Sequence, residues 1–282
     1  KQLSSIDVTE MGESLRQEML QELQLEPTDA EDIDFTGASV RLLHTHIFKP
    51  TLKSINTRYV DQPLVQASLL QALSGSLKSL GLLTEAMGPL VRALEIRTEH
   101  LGREHEHTLK SMRKMADLLW SSRNFDQVLI YEQELLNIRR RIQGNDHPKT
   151  LNEMEDLADT LEVLDRYEEA KQYRIEIFQI SRQKWGDEHR RTLNEMVRLG
   201  EVYLELDEYE NAFSHFRDAL ETRQRIWGDE DSDTLESLEA MGELLKDQKK
   251  YEEATPYFKH VMEVRRRTLG NEHLATHVAM DD

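Results

Sequence analysis

The sequence contains no cysteine, which rules out disulfides, thiolate-bound metals and cysteine nucleophiles but fixes no compartment. Proline is scarce, at six residues in 282, and there are only seven phenylalanines and three tryptophans. With 38% hydrophobic residues and a mean hydropathy of −0.67, the chain suits a thin two-layer structure with much solvated surface. No stretch approaches roughly eighteen consecutive apolar residues, so no membrane span is expected in this segment. Positive charge is also in short supply: 36 Lys and Arg stand against 54 Asp and Glu, a net −18. That balance argues against nucleic acid, whose phosphates need clustered Lys and Arg, and against an anionic membrane surface. The start at Lys1 shows neither a signal-peptide pattern nor an initiator Met, so a longer parent chain is expected.

What the chain does have is a period. Gly102, Gly144, Gly186, Gly228 and Gly270 are spaced 42 residues apart. Three residues after them stand His105, His147, His189 and His273, with Asp231 in place of the fourth histidine. Three further on come Thr108, Thr150, Thr192, Thr234 and Thr276, all but the last followed by leucine. A strict period of this length predicts an array of identical supersecondary units.

The columns of the array have physical meanings. Ser74, Ala116, Ala158, Gly200 and Gly242 are always small, as are Ala86, Ala170, Ala212 and Ala254, with Val128 in the same column. Small residues at matched places on two consecutive helices allow close backbone packing. Leu73, Met115, Leu157, Leu199 and Met241, and four residues later Leu77, Leu119, Leu161, Tyr203 and Leu245, mark one face of a first helix. A second helix repeats the pattern with Ala93, Leu135, Ile177, Ala219 and Val261. Each unit reads as a helical hairpin, with Asn124, Asp165, Asp207 and Lys249 near the turns. The glycines are expected to end the second helix in a left-handed conformation, and the Asp, His and Thr that follow to cap the next one.

Paired small residues on a helical hairpin resemble the tetratricopeptide repeat (TPR), a unit of about 34 residues lengthened here by about eight. The Gly-x-x-His-x-x-Thr-Leu linker is similar to that of kinesin light chains and their bacterial relatives. This resemblance covers residues 64–276. Residues 38–102, with LLHTHIFKPTLKSI, DQPLVQASLLQALS and LGLLTEA, also resemble the entry to the repeat arrays of large planctomycete-type serine/threonine kinases. The resemblance implies an all-α, right-handed superhelical solenoid with an N-terminal helical cap. Five repeats are expected at 67–101, 109–143, 151–185, 193–227 and 235–269, with residues 277–282 beginning a sixth helix. Residues 1–36 read as a helix over 7–24 plus an acidic linker, and form either part of the cap or a hinge to an upstream domain. Residues 37–63 read as an amphipathic capping segment whose apolar stripe slips by one residue at Pro50, where a kink or break is expected.

Few residues suggest chemistry. His44 and His46, two apart on a helix, point to different sides and make a poor metal pair. The linker histidines recur once per repeat and read as structural. No H-E-x-x-H, phosphate loop, G-x-S-x-G or kinase motif is present, so no catalytic, cofactor or metal site is expected. Trp185 and Trp227 share a column and are expected to pack against the following repeat. Trp120 stands apart, as either a binding anchor or a packing residue.

In the resembled family the first helices line a concave face that binds ligands. The positions implied here are Lys110, Arg113, Lys114, Asp117 and Trp120; Asn152, Glu155, Asp156, Asp159 and Glu162; Asn194, Arg198, Glu201 and Glu205; and Glu239 and Glu243. That face reads as acidic from the third repeat onward, with a basic patch beside Trp120. It either favours an extended Lys- or Arg-bearing segment or is simply solvated. The paired asparagines frequent in kinesin light chains, and the Lys/Asn carboxylate clamp of chaperone-binding members, are absent. The function expected is a non-catalytic protein- or peptide-binding scaffold. The alternatives are a regulatory arm of a larger enzyme and a self-association module using the C-terminal repeat.

Overall fold

The computed structural model describes residues 42–269, in which helices are joined by short turns and loops and no strand occurs. The sequence-predicted helix over 7–24, its acidic linker, and Gly270, His273, Thr276 and residues 277–282 lie outside the described residues. The chain divides into two bodies at Asn124/Phe125. The first holds a π-helical turn, His44–Phe48, then α1 (Lys49–Arg58), α2 (Pro63–Ser79), α3 (Leu83–Leu101) and α4 (Glu106–Ser121). The second holds α5 (Phe125–Gln143), α6 (Pro148–Val163), α7 (Tyr167–Trp185), α8 (Arg190–Glu205), α9 (Tyr209–Trp227), α10 (Ser232–Asp247) and α11 (Tyr251–Leu269). From α2 to α4 and from α5 to α11, each helix packs on the next.

The expected break at Pro50 takes another form. Helix runs without interruption from Leu42 to Arg58, and the backbone N–H of Lys49 bonds the carbonyl of His44. Proline cannot supply the N–H that an α-helix would require there. A π-turn just upstream inserts one extra residue and absorbs the defect. The same insertion accounts for the one-residue slip of the apolar stripe between Ile47 and Leu52. His44 is half-buried and His46 exposed on this turn.

Helices of 16–19 residues are marginal alone in water, so burial decides whether these form. Leu73, Met115, Leu157, Leu199 and Met241 are all buried, as are Ala93, Leu135, Ile177, Ala219 and Val261. Each larger aliphatic side chain contributes roughly 1.5–3 kcal/mol on burial, enough to hold the hairpins without many aromatic residues. The small columns allow the approach: Ala86, Val128, Ala158, Ala170 and Ala212 are fully covered, and Ser74 Oγ donates 2.8 Å to the carbonyl of Ala86 on the facing helix.

The linkers are more constrained than the sequence suggested. Gly102, Gly186 and Gly228 have φ of 82–90° with ψ of 163–175°, an extended mirror-image region open in practice only to glycine, not the left-handed helical one. His105, His147 and His189 then serve as N-caps, each Nδ1 accepting from the backbone N–H two residues on, at 3.1–3.2 Å. Asp231 Oδ1 makes the same bond to the N–H of Asp233, at 3.0 Å. This shared acceptor role explains how aspartate replaces histidine in the column. The threonines sit in the following turn, and Thr108 Oγ1 donates back to the carbonyl of Gly102 at 2.8 Å. Within the hairpins, Gly81, Arg123, Asp165, Asp207 and Lys249 take positive φ, so the turn position in the second repeat is Arg123 rather than Asn124. The N–H of Arg166 bonds Leu161 O and that of Asp165 bonds Glu162 O, the paired bonds of a Schellman cap.

The cap predicts a simple contrast. His147→Ala should cost about 1 kcal/mol of stability, the usual loss for an N-cap, whereas His147→Asp should stay within about 0.5 kcal/mol of the native chain because aspartate is itself a preferred cap. Urea denaturation followed by circular dichroism separates the two. Equal losses would show that the imidazole matters for its packing and not as an acceptor.

Candidate binding groove

The sixteen sequence-predicted positions fall in both bodies. On α4 of the first, Lys110, Lys114 and Trp120 are exposed and Arg113 and Asp117 half-buried. The indole of Trp120 is 37% exposed. Lys114 Nζ lies 3.2 Å from Asp117 Oδ2, and Lys78 Nζ donates 2.9 Å to the Asp117 carbonyl. The basic patch is therefore partly neutralised by its own aspartate.

In the second body six of the predicted residues converge. Glu162, Arg198, Glu201, Glu205, Glu239 and Glu243 line a groove of about 500 Å³, joined by Glu236 and Tyr167. Its floor is apolar, made by Val202, Leu204, Phe216 and Ala240. Helical periodicity places these residues together: α6, α8 and α10 are consecutive first helices, and positions 198, 201 and 205 share one face. Asn152, Glu155, Asp156, Asp159 and Asn194 do not line it.

Five of the groove's six carboxylates are paired with a cation. Arg174 Nε donates to Glu162 Oε1 at 2.8 Å. Arg198 reaches Glu201 at 3.2 Å, Arg223 reaches Glu236 at 3.3 Å, and Lys246 reaches Glu243 at 3.3 Å. Arg265 forks onto both oxygens of Glu239, one at 2.7 Å. Burial raises the Glu201 carboxyl above its ordinary value; Arg198 opposes this and Glu236 adds to it. Burial and then the charge of Glu205 push the Tyr167 phenol up to about 12. Arg174, Arg223 and Arg265 come from the second helices α7, α9 and α11. The sequence reading, which considered only first-helix residues, missed them.

Two of them, Arg223 and Arg265, belong to a column that the period itself could have revealed: Arg97, Arg139, Arg223 and Arg265. Arg97, Arg139 and Arg223 are each at most 6% exposed. Arg223 Nη2 donates 2.7 Å to Asn194 Oδ1 on its own hairpin, and Nη1 donates 2.7 Å to Ser237 Oγ on the next. Arg97 likewise joins Gln71 to Ser111. A guanidinium has five donors and no acceptor, so it can bridge two helices at once. Arg97 and Arg223 thus lock one hairpin to the next, while Arg223 and Arg265 supply counter-charge to the groove at Glu236 and Glu239.

Trp185 packs against the start of the following repeat, as its column implied, whereas Trp227 meets Arg190 at the start of its own hairpin. Trp185 stacks on His189 with ring centroids 5.5 Å apart, under the guanidinium of Arg191. Arg190 lies 4.4 Å over the ring of Trp227. No described helix is long and apolar enough to cross a membrane.

Comparison with known proteins agrees with this architecture. Family profiles described as tetratricopeptide repeat match residues 66–107, 150–225 and 234–275, together more than half of the chain. A kinesin-light-chain-type protein of Podosopora anserina with nearly identical TPR-like repeats superposes with a TM-score of 0.65 at 17% identity, over 73% of this chain and 97% of that one. BtubC (BKLC) from P. vanneervenii gives a TM-score of 0.61 at 16% identity, over 82% and 92%. At such identities the likeness is one of fold. Mouse (Mus musculus) nephrocystin-3 is 31% identical over 100 residues, 35% of this chain, and the match spans 8% of that protein's length.

Proposed function

Because the chain belongs to the tetratricopeptide-repeat family, we propose that it is a non-catalytic scaffold whose α6–α8–α10 groove binds an extended protein segment bearing lysine or arginine. One observation carries this reading: six glutamates and a single arginine rim a groove of about 500 Å³ over an apolar floor. An apolar floor with charged walls suits a segment that alternates an apolar anchor with basic side chains. The backing arginines lower the net field, so a guest cation competes with Arg174, Arg198 and Arg265 for carboxylates already engaged. Such an exchange gives selectivity more than raw affinity. Glu205, exposed at the end of α8, is the first contact assigned to the guest.

Fluorescence anisotropy with labelled peptides tests it. Peptides alternating Lys or Arg with leucine should bind at least about tenfold more tightly than the same peptides carrying Glu, with a preference that shrinks as salt screens the charges. Glu205→Lys together with Glu243→Lys should abolish that preference in a protein that still melts cooperatively. Equal binding of acidic and basic peptides would overturn the assignment.

A further inference from the structure

One hairpin lacks the inter-repeat arginine. Elsewhere the column arginine meets a residue on the next first helix: Arg97 meets Ser111, Arg139 lies 3.7 Å from Glu153, and Arg223 meets Ser237. The matching positions between α7 and α8 are Ser181 and Glu195. Both are buried, at 0% and 5% exposure. Neither Ser181 Oγ nor Glu195 Oε2 has a hydrogen-bond partner among the described residues. A carboxylate thus sits where its repeat has lost the guanidinium that holds the equivalent residue elsewhere.

The missing charge is supplied from a neighbouring column. Arg174 on α7, 2% exposed, stands where the other hairpins place Leu90, Glu132, Phe216 and Phe258. It pairs with Asp159, donates 2.8 Å to Glu162, and brings Nη1 to 3.7 Å from Glu195, the same separation as between Arg139 and Glu153. One guanidinium therefore serves three carboxylates, and Glu195 is served least. The other charged groups around this joint come from every packed helix. From α6 come Glu155, itself paired with Arg191, and Asp159. On α8 are Arg191 and the Arg198–Glu201 pair. From α9 comes Arg223, held on Asn194 and Glu236, the last belonging to α10.

We propose that Glu195 is folded into the α7–α8 joint with its proton on, and that loss of this proton draws Arg174 from Asp159 and Glu162 toward Glu195. One buried carboxyl then sets both the strength of the joint and the charge of the groove wall at Glu162. The consequence for the groove rests on the peptide-binding reading; the proton itself does not. A buried charge without adequate pairing is costly enough that the group neutralises instead. Burial and then the nearby charge of Glu155 push this carboxyl up to about 8, with Arg174 and Arg191 opposing.

The direction of the pH effect follows by linkage. Between the ordinary carboxylate value of 4.5 and about 8, the folded chain keeps a proton that the unfolded chain has released. Folding stability from this group therefore falls as pH rises through that window and is level above it.

The test compares urea denaturation of the native chain and Glu195→Gln from about pH 5 to pH 9, across the titration range of the carboxyl. The unfolding constant of the native chain should rise relative to the variant by up to roughly tenfold per pH unit, the limit for one linked proton. Curves that run parallel would overturn the proposal. If Glu195→Gln does not fold, Arg174→Leu with Ser181→Arg restores the arrangement of Leu90 and Arg97 and should likewise remove the slope. In ¹⁵N-arginine NMR spectra, the Arg174 side-chain resonance should move over the same range, and an unmoved signal would refute the redistribution. Neither readout needs a ligand, so failure of peptide binding leaves both results standing.

Discussion

Arg174→Ala should destabilise the second body by about 3–5 kcal/mol on the alkaline side of neutrality, the cost of breaking a buried ion pair. The reason lies in the unequal fates of its three partners. Asp159 and Glu162 have side chains 55% and 23% exposed and can turn to water. Glu195, 5% exposed, cannot, and without Arg174 it must keep its proton or leave the joint. At acid pH that proton is already in place, so the loss should shrink to the packing of the arginine stem. Adding Glu195→Gln to Arg174→Ala should recover most of the alkaline difference, while Arg174→Met should keep the packing and lose only the charge. Denaturation curves at two pH values decide the matter. A loss below about 1 kcal/mol at both, typical of solvent-exposed pairs, would show that the guanidinium is not the joint's support.

Arg174 also shows where sequence reading stops. The 42-residue period, the hairpins and the capping linkers were legible because each depends on local rules: a glycine that alone tolerates a given φ, an acceptor before a helix, apolar residues three and four apart. The π-turn upstream of Pro50 left a trace as the slipped stripe, but a slip alone does not distinguish a break from an inserted residue. Six of the predicted groove residues, from Glu162 to Glu243, do come together, since consecutive first helices stack. The buried arginines were not foreseen because charged residues on a helix ordinarily face water. In a two-layer array of small residues, however, the gap between hairpins is wide enough for a guanidinium and too polar to close with leucine. The column Arg97, Arg139, Arg223, Arg265 was present in the periodic alignment, and its interruption at Ser181 was the most informative departure from it. What no column reveals is that Arg174 would cross from its own position to replace the missing partner.

The same column that holds Arg174 governs the fit between the two helices of each hairpin, and it yields the second large effect. Opposite the small residue of the first helix stand Leu90 in the first body and Arg174, Phe216 and Phe258 in the second. Where the second helix offers a phenyl ring, the first offers glycine. A Cβ built on Gly200 would lie 2.5 Å from the ring of Phe216, and one on Gly242 would lie 2.8 Å from Phe258. Helix propensity alone would favour Gly200→Ala by about 1 kcal/mol. Overpacking against a fully buried ring (Phe216 is 0% exposed) costs about 1–3 kcal/mol, so the substitution should be neutral at best and destabilising on balance. Phe216→Ala should cost more, about 3–5 kcal/mol, through the cavity it leaves beneath the groove floor. The double variant Gly200→Ser with Phe216→Leu copies Ser74 and Leu90 of the first hairpin, and its loss should be smaller than the sum of its parts by about 1–2 kcal/mol, as expected for residues in contact. Denaturant midpoints of the four chains measure that coupling. A clearly stabilising Gly200→Ala, or strict additivity in the double variant, would mean that the ring has room to move and that glycine is there for another reason. If the coupling holds, the acidic groove owes the shape of its apolar floor to this glycine: a first-helix side chain any larger would displace the buried ring that supports it.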